Sequence, residues 1–547
     1  MKGSSRMKAR YSSGPRLSFL TVMLCICMSS ISYSQIYPNI EWWTDLDAPS
    51  LGSAATADLD GDGKPEIVFG TYFNDETIHC LNGEDGSHLW TFFTDGCNDA
   101  SPLICDADGD GALEVIVPGS STQTVYCLSG DTGGLEWSAF QGYCIDSPPA
   151  AADLDGDGEL EIVNGTFNGN VFCLNGSDGS IAWQCSLGTD SYIQSCPNIH
   201  DFDGDGELEI VVAQWLGDFK IFCLNGSDGE IEWTCDTPGD NMYHGAAFAD
   251  VDQDGMAELT IGSYDGNVYM INGEDGTVQW SYPAGSYACG PTSIADFDSD
   301  GQFEVFYAAG SGVGVITPDG DQMWHWSTGA TSFRGAAVTN IDGDTVPDVI
   351  YGTSQGMLYA RKGTAGELLW ELDLQAHYGD TYDIDHAPVT GDFDSDGSVD
   401  VFVVGGYATS SSPHNNHGRA YMVSAGANMD DLWPTFRHDS FRSGCFYGSG
   451  TGIEGSEQNT DFSEITAFPN PAGAVLHLGF TPGVSGWTEI AVHDISGRKV
   501  LDLYSGDVTD GENSIEFSTS GLAPGIYFVR VRFEGTEFSS SSFVVLN

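Results

Sequence analysis

Positive charge is what this chain lacks most: 17 Lys and Arg stand against 80 Asp and Glu in 547 residues, a formal charge of −63. Such a surface repels phosphate backbones and anionic lipid headgroups at long range, which argues against nucleic acid as a partner. Long apolar runs are also missing. After one near the N-terminus, no stretch is long enough to cross a bilayer, so direct membrane insertion is not expected. There is no Gly-x-Ser-x-Gly elbow, zinc-binding helix motif or phosphate loop, and the 12 histidines are scattered. The common hydrolytic and phosphoryl-transfer signatures are therefore absent. Few long stretches are free of Gly, Asp or Asn, so short strands joined by tight turns are expected. With 41% hydrophobic and 12% aromatic residues there is enough apolar surface for a packed core despite the acidity. The expectation is a mostly β protein of three or four domains, or one large repeat assembly with an appendage.

Residues 1–34 read as a signal peptide. Lys2, Arg6, Lys8, Arg10 and Arg16 precede an apolar run from Leu17 to Ile31, and Ser32 and Ser34 offer a small-residue cleavage site. The run is shorter than the 18 or more residues of a membrane span, and neither Cys25 nor Cys27 has the context of lipoprotein processing. Cleavage removes five cations and no acids, taking the formal charge from −63 to −68. Twelve of the 14 cysteines would remain, in an oxidising compartment where disulfides are possible. Their pairing is not deducible from spacing. Cys80, Cys127, Cys173 and Cys223 are equivalent in consecutive repeats, where free and buried is as good a reading as bridged.

One pattern dominates the interior. It begins as Asp58-Leu-Asp60-Gly-Asp62-Gly-Lys-Pro-Glu66 and recurs eight times, with successive spacings of 48, 47, 48, 49, 46, 44 and 52 residues, a propeller-sized period. Oxygens at positions 1, 3 and 5 of a turn with glycine at position 6 converge on one point, as in the Ca²⁺ loops of helical sensors. Here a carboxylate at position 9 closes the set and a strand follows. The candidate metal ligands are Asp58, Asp60, Asp62 and Glu66; Asp106, Asp108, Asp110 and Glu114; Asp153, Asp155, Asp157 and Glu161; Asp201, Asp203, Asp205 and Glu209. The second half supplies Asp250, Asp252, Asp254 and Glu258; Asp296, Asp298, Asp300 and Glu304; Asn340, Asp342, Asp344 and Asp348; Asp392, Asp394, Asp396 and Asp400. Oxygen donors without His or Cys favour Ca²⁺, up to eight ions, over zinc or copper. Loop seven, with Asn340 at position 1 and Thr345 in place of glycine, is expected to bind least well.

A second pattern runs in phase with the first. Gly86, Gly133, Gly179, Gly229, Gly276, Gly320 and Gly366 each precede a tryptophan by four residues: Trp90, Trp137, Trp183, Trp233, Trp280, Trp324 and Trp370. Asn-Gly and Asp-Gly pairs just before them mark hairpin turns. Each unit thus offers four strands, in the third roughly 160–163, 170–174, 181–185 and 195–199. Large aromatics at equivalent strand positions suit packing between repeats better than a stacking platform for sugars.

These residues resemble two propeller families over about residues 40–440. The Asp-x-Asp-Gly-Asp-Gly loops resemble FG-GAP or VCBS repeats of the integrin α type. Cys127-Leu-Ser-Gly-Asp-Thr-Gly133-Gly-Leu-Glu-Trp137 resembles the tryptophan motif of eight-bladed quinoproteins. Ile40-Glu-Trp42-Trp43 resembles the tryptophan strand of a blade without its calcium loop, and is expected to complete the blade left open after Ala420-Tyr-Met-Val423. Trp433 breaks the spacing and is expected to cap the ring. After a linker at 449–463, the motifs Phe468-Pro469-Asn470-Pro471, Asp494-Ile-Ser-Gly497-Arg498-Lys499 and Leu522-Ala-Pro524-Gly525-Ile-Tyr527 resemble the C-terminal sorting domain of the type IX secretion system. That family implies a small β-sandwich, at 464–547, which directs passage across a Gram-negative outer membrane.

The expected fold is therefore all-β: an eight-bladed β-propeller at 35–448, then a small β-sandwich. The expected function is a secreted or cell-surface binding or adhesion module for an extracellular glycan or protein, delivered by the type IX secretion machinery. The alternative is a carbohydrate-active enzyme such as a calcium-dependent polysaccharide lyase. Quinoprotein dehydrogenases carry an adjacent cysteine pair against their cofactor and this sequence has none, so pyrroloquinoline quinone (PQQ) is not expected. In integrin-like propellers the strand before each calcium loop is the innermost. Counting back from each loop places Asp99, Asp146, Gln194, Tyr243, Cys289, Phe333 and Asp385, followed in three cases by His244, Arg334 and His386, at the channel on the face opposite the metals. Asp99, Asp146, Tyr243, His244, Arg334, Asp385 and His386 form the candidate ligand-binding rim, because side chains that vary on a repeated scaffold are where recognition can be placed. The irregular stretch Pro413 to Arg419 is read first as a long loop and second as a ligand loop.

Overall fold

The structure, a computed structural model, describes residues 37–426 except 311, 333 and 345, and beyond them residue 519 and the strands within 431–545. The signal peptide, Phe333, Thr345, nearly all of the 449–463 linker, and Pro469, Asn470, Pro471, Gly497 and Arg498 lie outside the described residues.

Eight antiparallel sheets follow one another along the chain as blades. Blade one is typical, with strands Ala55–Ala57, Glu66–Gly70, Thr77–Asn82 and His88–Phe93 paired in that order. The three-residue first strands, such as Ala150–Ala152, Ala247–Ala249 and Ser293–Ala295, begin and end on small residues, which suits the innermost position of a converging ring. The second strands are buried over at least their first five residues, as in Glu161–Gly165 and Glu258–Gly262. A sheet covered on both faces by neighbouring blades needs apolar residues at every position rather than at alternate ones. The fourth strands, such as Ile181–Ser186, are largely exposed.

The metal-type loop thus joins first and second strands inside a blade. Asn198–His200, counted above with the third repeat, pairs with Glu209–Leu216 and opens blade four. The repeat in sequence is a cyclic shift of the blade in space.

Neighbouring blades are joined by the tryptophans. Trp137 donates its indole N–H to Gly176 O at 2.8 Å and Trp183 donates to Gly226 O at 2.8 Å, each reaching into the next blade. The glycine three residues beyond the acceptor makes room for the ring: at Gly179, φ +69°, a Cβ would stand 2.4 Å from Trp137. Trp42 makes the same bond to Gly83 O at 2.8 Å. It lies on Asn39–Leu46, which pairs with His417–Gly426 as the outer strand of blade eight. The N-terminal strand therefore closes the ring, as its tryptophans suggested.

Blade seven has a fifth strand. Asp431–Trp433 pairs with its innermost strand Ala336–Thr339, with Trp433 opposite Val338, so the chain leaving blade eight returns to the axis. The irregular stretch forms the 3₁₀ turn Pro413–Asn415. Asn416 donates to Phe73 O at 2.7 Å, which ties this stretch to blade one, while Arg419 pairs with Asp45 on the adjacent outer strand of blade eight. Among the described residues all eleven cysteines are free. Cys80, Cys127, Cys173 and Cys223 are fully buried.

The C-terminal strands form two antiparallel sheets. One holds Phe462–Phe468, Val475–Pro482 and Asn513–Ser518; the other holds Lys499–Val508, Gly486–Asp494, Gly525–Phe533 and Thr536–Val545. Alternate residues Leu476 and Leu478, and Ile490 and Val492, are buried, the pattern of a sheet with one inner face. The first strand begins inside the segment read as linker. No helix among the described residues is long and apolar enough to cross a membrane.

Candidate metal loops and axial site

Each acidic loop is closed by the same bond. The position-9 carboxylate accepts the N–H of position 2, as Glu66 does from Leu59, at 2.7–3.1 Å across all eight loops. Asp58 accepts from Gly61 and Gly63, Asp60 from Asp62, and Asp62 from Lys64. The backbone thus turns its N–H groups outward to the carboxylates and gathers the acids. In the trios Asp58/Asp60/Asp62, Asp106/Asp108/Glu114, Asp153/Asp155/Glu161, Asp201/Asp203/Glu209 and Asp250/Asp252/Glu258, donor oxygens lie within 4.8 Å of one another. Two more such groups occur among the described residues.

Holding these acids together is costly without a cation. Burial, reinforced by the neighbouring carboxylates, lifts Glu66 and Glu114 to about 7 and Glu209, Glu258 and Glu304 to about 8. Asp106 Oδ1 and Glu258 Oε1 are buried with no hydrogen-bond partner, an arrangement that suits a hard oxygen-seeking ion.

Loop seven differs. Lys362 Nζ lies 2.6 Å from Asp342 Oδ2 and 2.8 Å from Asp344 Oδ2, so an ammonium stands where the other loops gather only acids. Partial burial alone would push Asp344 up, yet with the Lys362 hydrogen bond and charge it sits below its ordinary value. The corresponding positions in other blades are Asn82, Asn175, Asn225 and Asn272.

Strand order places the second feature. Because strands alternate in direction, the loops entering each innermost strand and the hairpins between second and third strands share the face opposite the acidic loops. There the guanidinium of Arg334, 6% exposed, is the centre of a cluster drawn from several blades. Its Cζ lies 5.3 Å from the Tyr243 ring centroid and its Nη1 3.5 Å from His244 Nδ1. Its charge also acts on Asp99, Asp146 and Asp385.

Burial raises all three carboxyls. Asp99 stands well above its ordinary value, with the Asp146 charge adding and Arg334 opposing. For Asp146 the opposing influences are hydrogen bonds with Ser120 and Cys144, and then Arg334. Asp99 N donates to Ser120 Oγ at 2.9 Å, while Asp99 Oδ1 is buried with no hydrogen-bond partner. Asp99, Asp146, Tyr243 and Asp385 all keep partial access to solvent, as side chains down an axial funnel would. Gln194 bonds to Tyr243, and the phenol is lifted to about 12 by burial.

His386 of the expected rim, and Cys289 among the other positions counted back to the channel, lie deeper. His386 is 1% exposed and accepts the Ala54 N–H on Nε2 at 2.9 Å, across the seam between blades eight and one. Cys289 is 2% exposed. Sequence reasoning missed the aromatic wall: Trp215 meets Tyr243 and Tyr264 edge-on at 4.8 and 4.9 Å, and Tyr264 stacks on Tyr287 at 5.3 Å. A signal for it existed. Tyr72, Phe167, Trp215 and Tyr264 occupy equivalent hairpin positions, two residues after the buried second-strand core.

Comparison with known proteins supports this architecture. Residues 466–545 match the family described as secretion system C-terminal sorting domain, which indicates type IX secretion or surface attachment. No curated protein matches the chain. Among solved structures, the quinohemoprotein alcohol dehydrogenase ADHIIG from Pseudomonas putida HK5 is 14% identical, with TM-score 0.51, covering 72% of this chain and 77% of that one. Saccharomyces cerevisiae Sqt1 is 13% identical, with TM-score 0.53, covering 72% of this chain and 100% of that one. The quinohemoprotein alcohol dehydrogenase from Comamonas testosteroni is 13% identical, with TM-score 0.50, covering 74% and 78%. At these identities the likeness is one of fold. The profile of a single repeat family spans 74–300 and 257–425, most of the ring, and on that coverage the chain belongs to the family described as outer membrane protein assembly factor BamB.

Proposed function

We propose that this protein is a calcium-loaded propeller that acts outside the cell as a binding or adhesion module for a glycan or protein ligand, and that the type IX machinery delivers it. The observation that carries the reading is the axial cluster. Arg334, Tyr243, His244, Asp99, Asp146 and Asp385 come from five blades and depart from the repeat, with Asp99, Asp146, Tyr243 and Asp385 partly accessible around the buried Arg334 and His244. Concave sites with a few convergent polar groups beside aromatic walls are the usual form of a ligand site.

Calcium supports the scaffold in this reading. Seven loops present oxygen donors alone, with a buried closing carboxylate, and fit the ion. Loop seven has Lys362 in that place, so seven ions are proposed. The identity of these loops as FG-GAP or VCBS repeats is part of the proposal. PQQ fits the axial site poorly: it carries three carboxylates of its own, and would meet Asp99, Asp146 and Asp385 against the single guanidinium of Arg334.

Screening the full chain on glycan and protein arrays, with calcium and with chelator, tests the proposal. Capture of a ligand that the triple variant Tyr243→Ala/Arg334→Ala/Asp385→Ala loses, at unchanged calcium content, is the expected result. Depolymerisation of acidic polysaccharides by the wild type would favour a lyase instead.

A further inference from the structure

A recess of about 510 Å³ lies between blades three and four, and none of the axial-cluster residues lines it. Tyr143, Phe167, Tyr192 and Phe219 supply its aromatic lining, and Asp190 and Asp218 its charge. Asn168 and Thr189 add an amide and a hydroxyl. Being formed by hairpins and blade-entry loops, it lies on the face opposite the acidic loops.

The recess exists because blade four breaks the repeat. Its second strand, Glu209–Leu216, has eight residues where the equivalent strands Glu161–Gly165 and Glu258–Gly262 have five. The extra length pairs with Tyr192–Ile193, an additional strand that the neighbouring blades lack. That pairing fixes Tyr192, which stacks on Phe167 of blade three with centroids 4.6 Å apart and planes 7° from parallel. Beyond the strand, Phe219 is held at φ +58°. A bulky residue in the left-handed region costs about 1–3 kcal/mol, and such residues persist where the surrounding structure holds them, often at ligand sites. Tyr143 is 50% exposed and Leu216 37%, so apolar surface is kept open to water beside the carboxylates rather than folded away.

We infer that this recess is a second binding site, for a neutral glycan. The apolar C–H face of a pyranose packs on an aromatic ring while its equatorial hydroxyls exchange hydrogen bonds with carboxylates and amides at the edge. Rigid aromatics flanked by Asp190, Asp218 and Asn168 offer that combination. Both charged groups lining the recess are acidic, which selects against uronic or sulfated polymers, and the volume falls within the range of small-ligand pockets. The inference goes beyond the axial site and stands without it.

Calorimetry of the full chain, in calcium, against cellohexaose, laminarihexaose, maltohexaose, xylohexaose and chitohexaose, with polygalacturonate as the acidic comparison, tests it. At least one neutral hexasaccharide is expected to bind. Tyr143→Ala, at a half-exposed position that folding does not need, should weaken that binding at least about tenfold, and the isosteric pair Asp190→Asn/Asp218→Asn should weaken it as well. Arg334→Gln reports separately on the axial cluster. Absence of binding by all five, preference for polygalacturonate, or full affinity in Tyr143→Ala would overturn the site. Affinity lost in Arg334→Gln and kept in Tyr143→Ala would assign the glycan to the axial cluster instead.

Discussion

Lys362 holds its ammonium 2.6 Å from Asp342, in the loop that has Asn340 where seven others have aspartate. An internal cation and a weakened donor set occur together, so loop seven is neutralised by the protein itself. The wild type is therefore expected to hold seven calcium ions, counted by elemental analysis after dialysis. Lys362→Asn, which installs the residue found in four other blades, should destabilise the metal-free protein by about 1–2 kcal/mol, as the pair is only partly buried. The other seven sites should respond to chelator with a large fall in melting temperature, since each contributes RT ln(1 + [L]/Kd). An unchanged melting temperature in excess chelator would show the loops to be metal-free turns.

The glycine that receives each tryptophan gives a second prediction. Gly179→Ala introduces a Cβ 2.4 Å from Trp137, at φ +69°, whereas Gly285→Ala at φ +79° meets nothing within 4 Å. Both variants carry the left-handed penalty, about 1–2 kcal/mol. Only Gly179→Ala must also displace a ring, and overpacking adds about 1–3 kcal/mol. Denaturant melts should separate the two by that difference; equal losses would remove the tryptophan seam as a source of stability.

Asp99 predicts a pH dependence. Its pKa is raised on folding by burial and by Asp146, while Arg334 opposes; Tyr72, Cys97 and Asp385 also face this region. A raised carboxyl contributes stability that is full below its unfolded value, about 3.9, and is lost as pH rises through its folded value. Asp99→Asn mimics the neutral acid at every pH. Its melting temperature should match wild type near pH 4 and exceed it increasingly toward pH 9. A constant difference across that range would place the cost elsewhere.

Removal of residues 464–547 tests the sorting domain. The propeller's sheets and ring closure are complete within 37–433, so the truncated chain should fold, shown by calcium content and melting temperature, yet stay in the cell envelope. Arrival in the medium or at the surface at the full-length level would separate export from this domain.

What could be read from sequence is what short-range geometry decides. A turn whose acids at positions 1, 3, 5 and 9 bond to its own backbone needs nothing beyond nine residues, so the eight loops were visible as written. The Gly-x-x-x-Trp phase was equally visible, because the repeat sets each tryptophan opposite the same glycine turn of the next blade, as Trp137 opposite Gly176, 39 residues on, and Gly179. The first strand's place in the last blade also followed, since Trp42 repeats the same motif. Ring closure decided the rest. Asp99, Tyr243, Arg334 and Asp385 are far apart in the chain, and they meet only because eight sheets converge on one axis; the same convergence buries His386 against Ala54 instead of leaving it at the rim. Lys362 reaches Asp342 across paired strands, and the recess of blades three and four depends on Tyr192 pairing with Leu216. A sequence period specifies which positions are equivalent, but which unlike positions face one another is set by strand register and by the curvature of the closed ring.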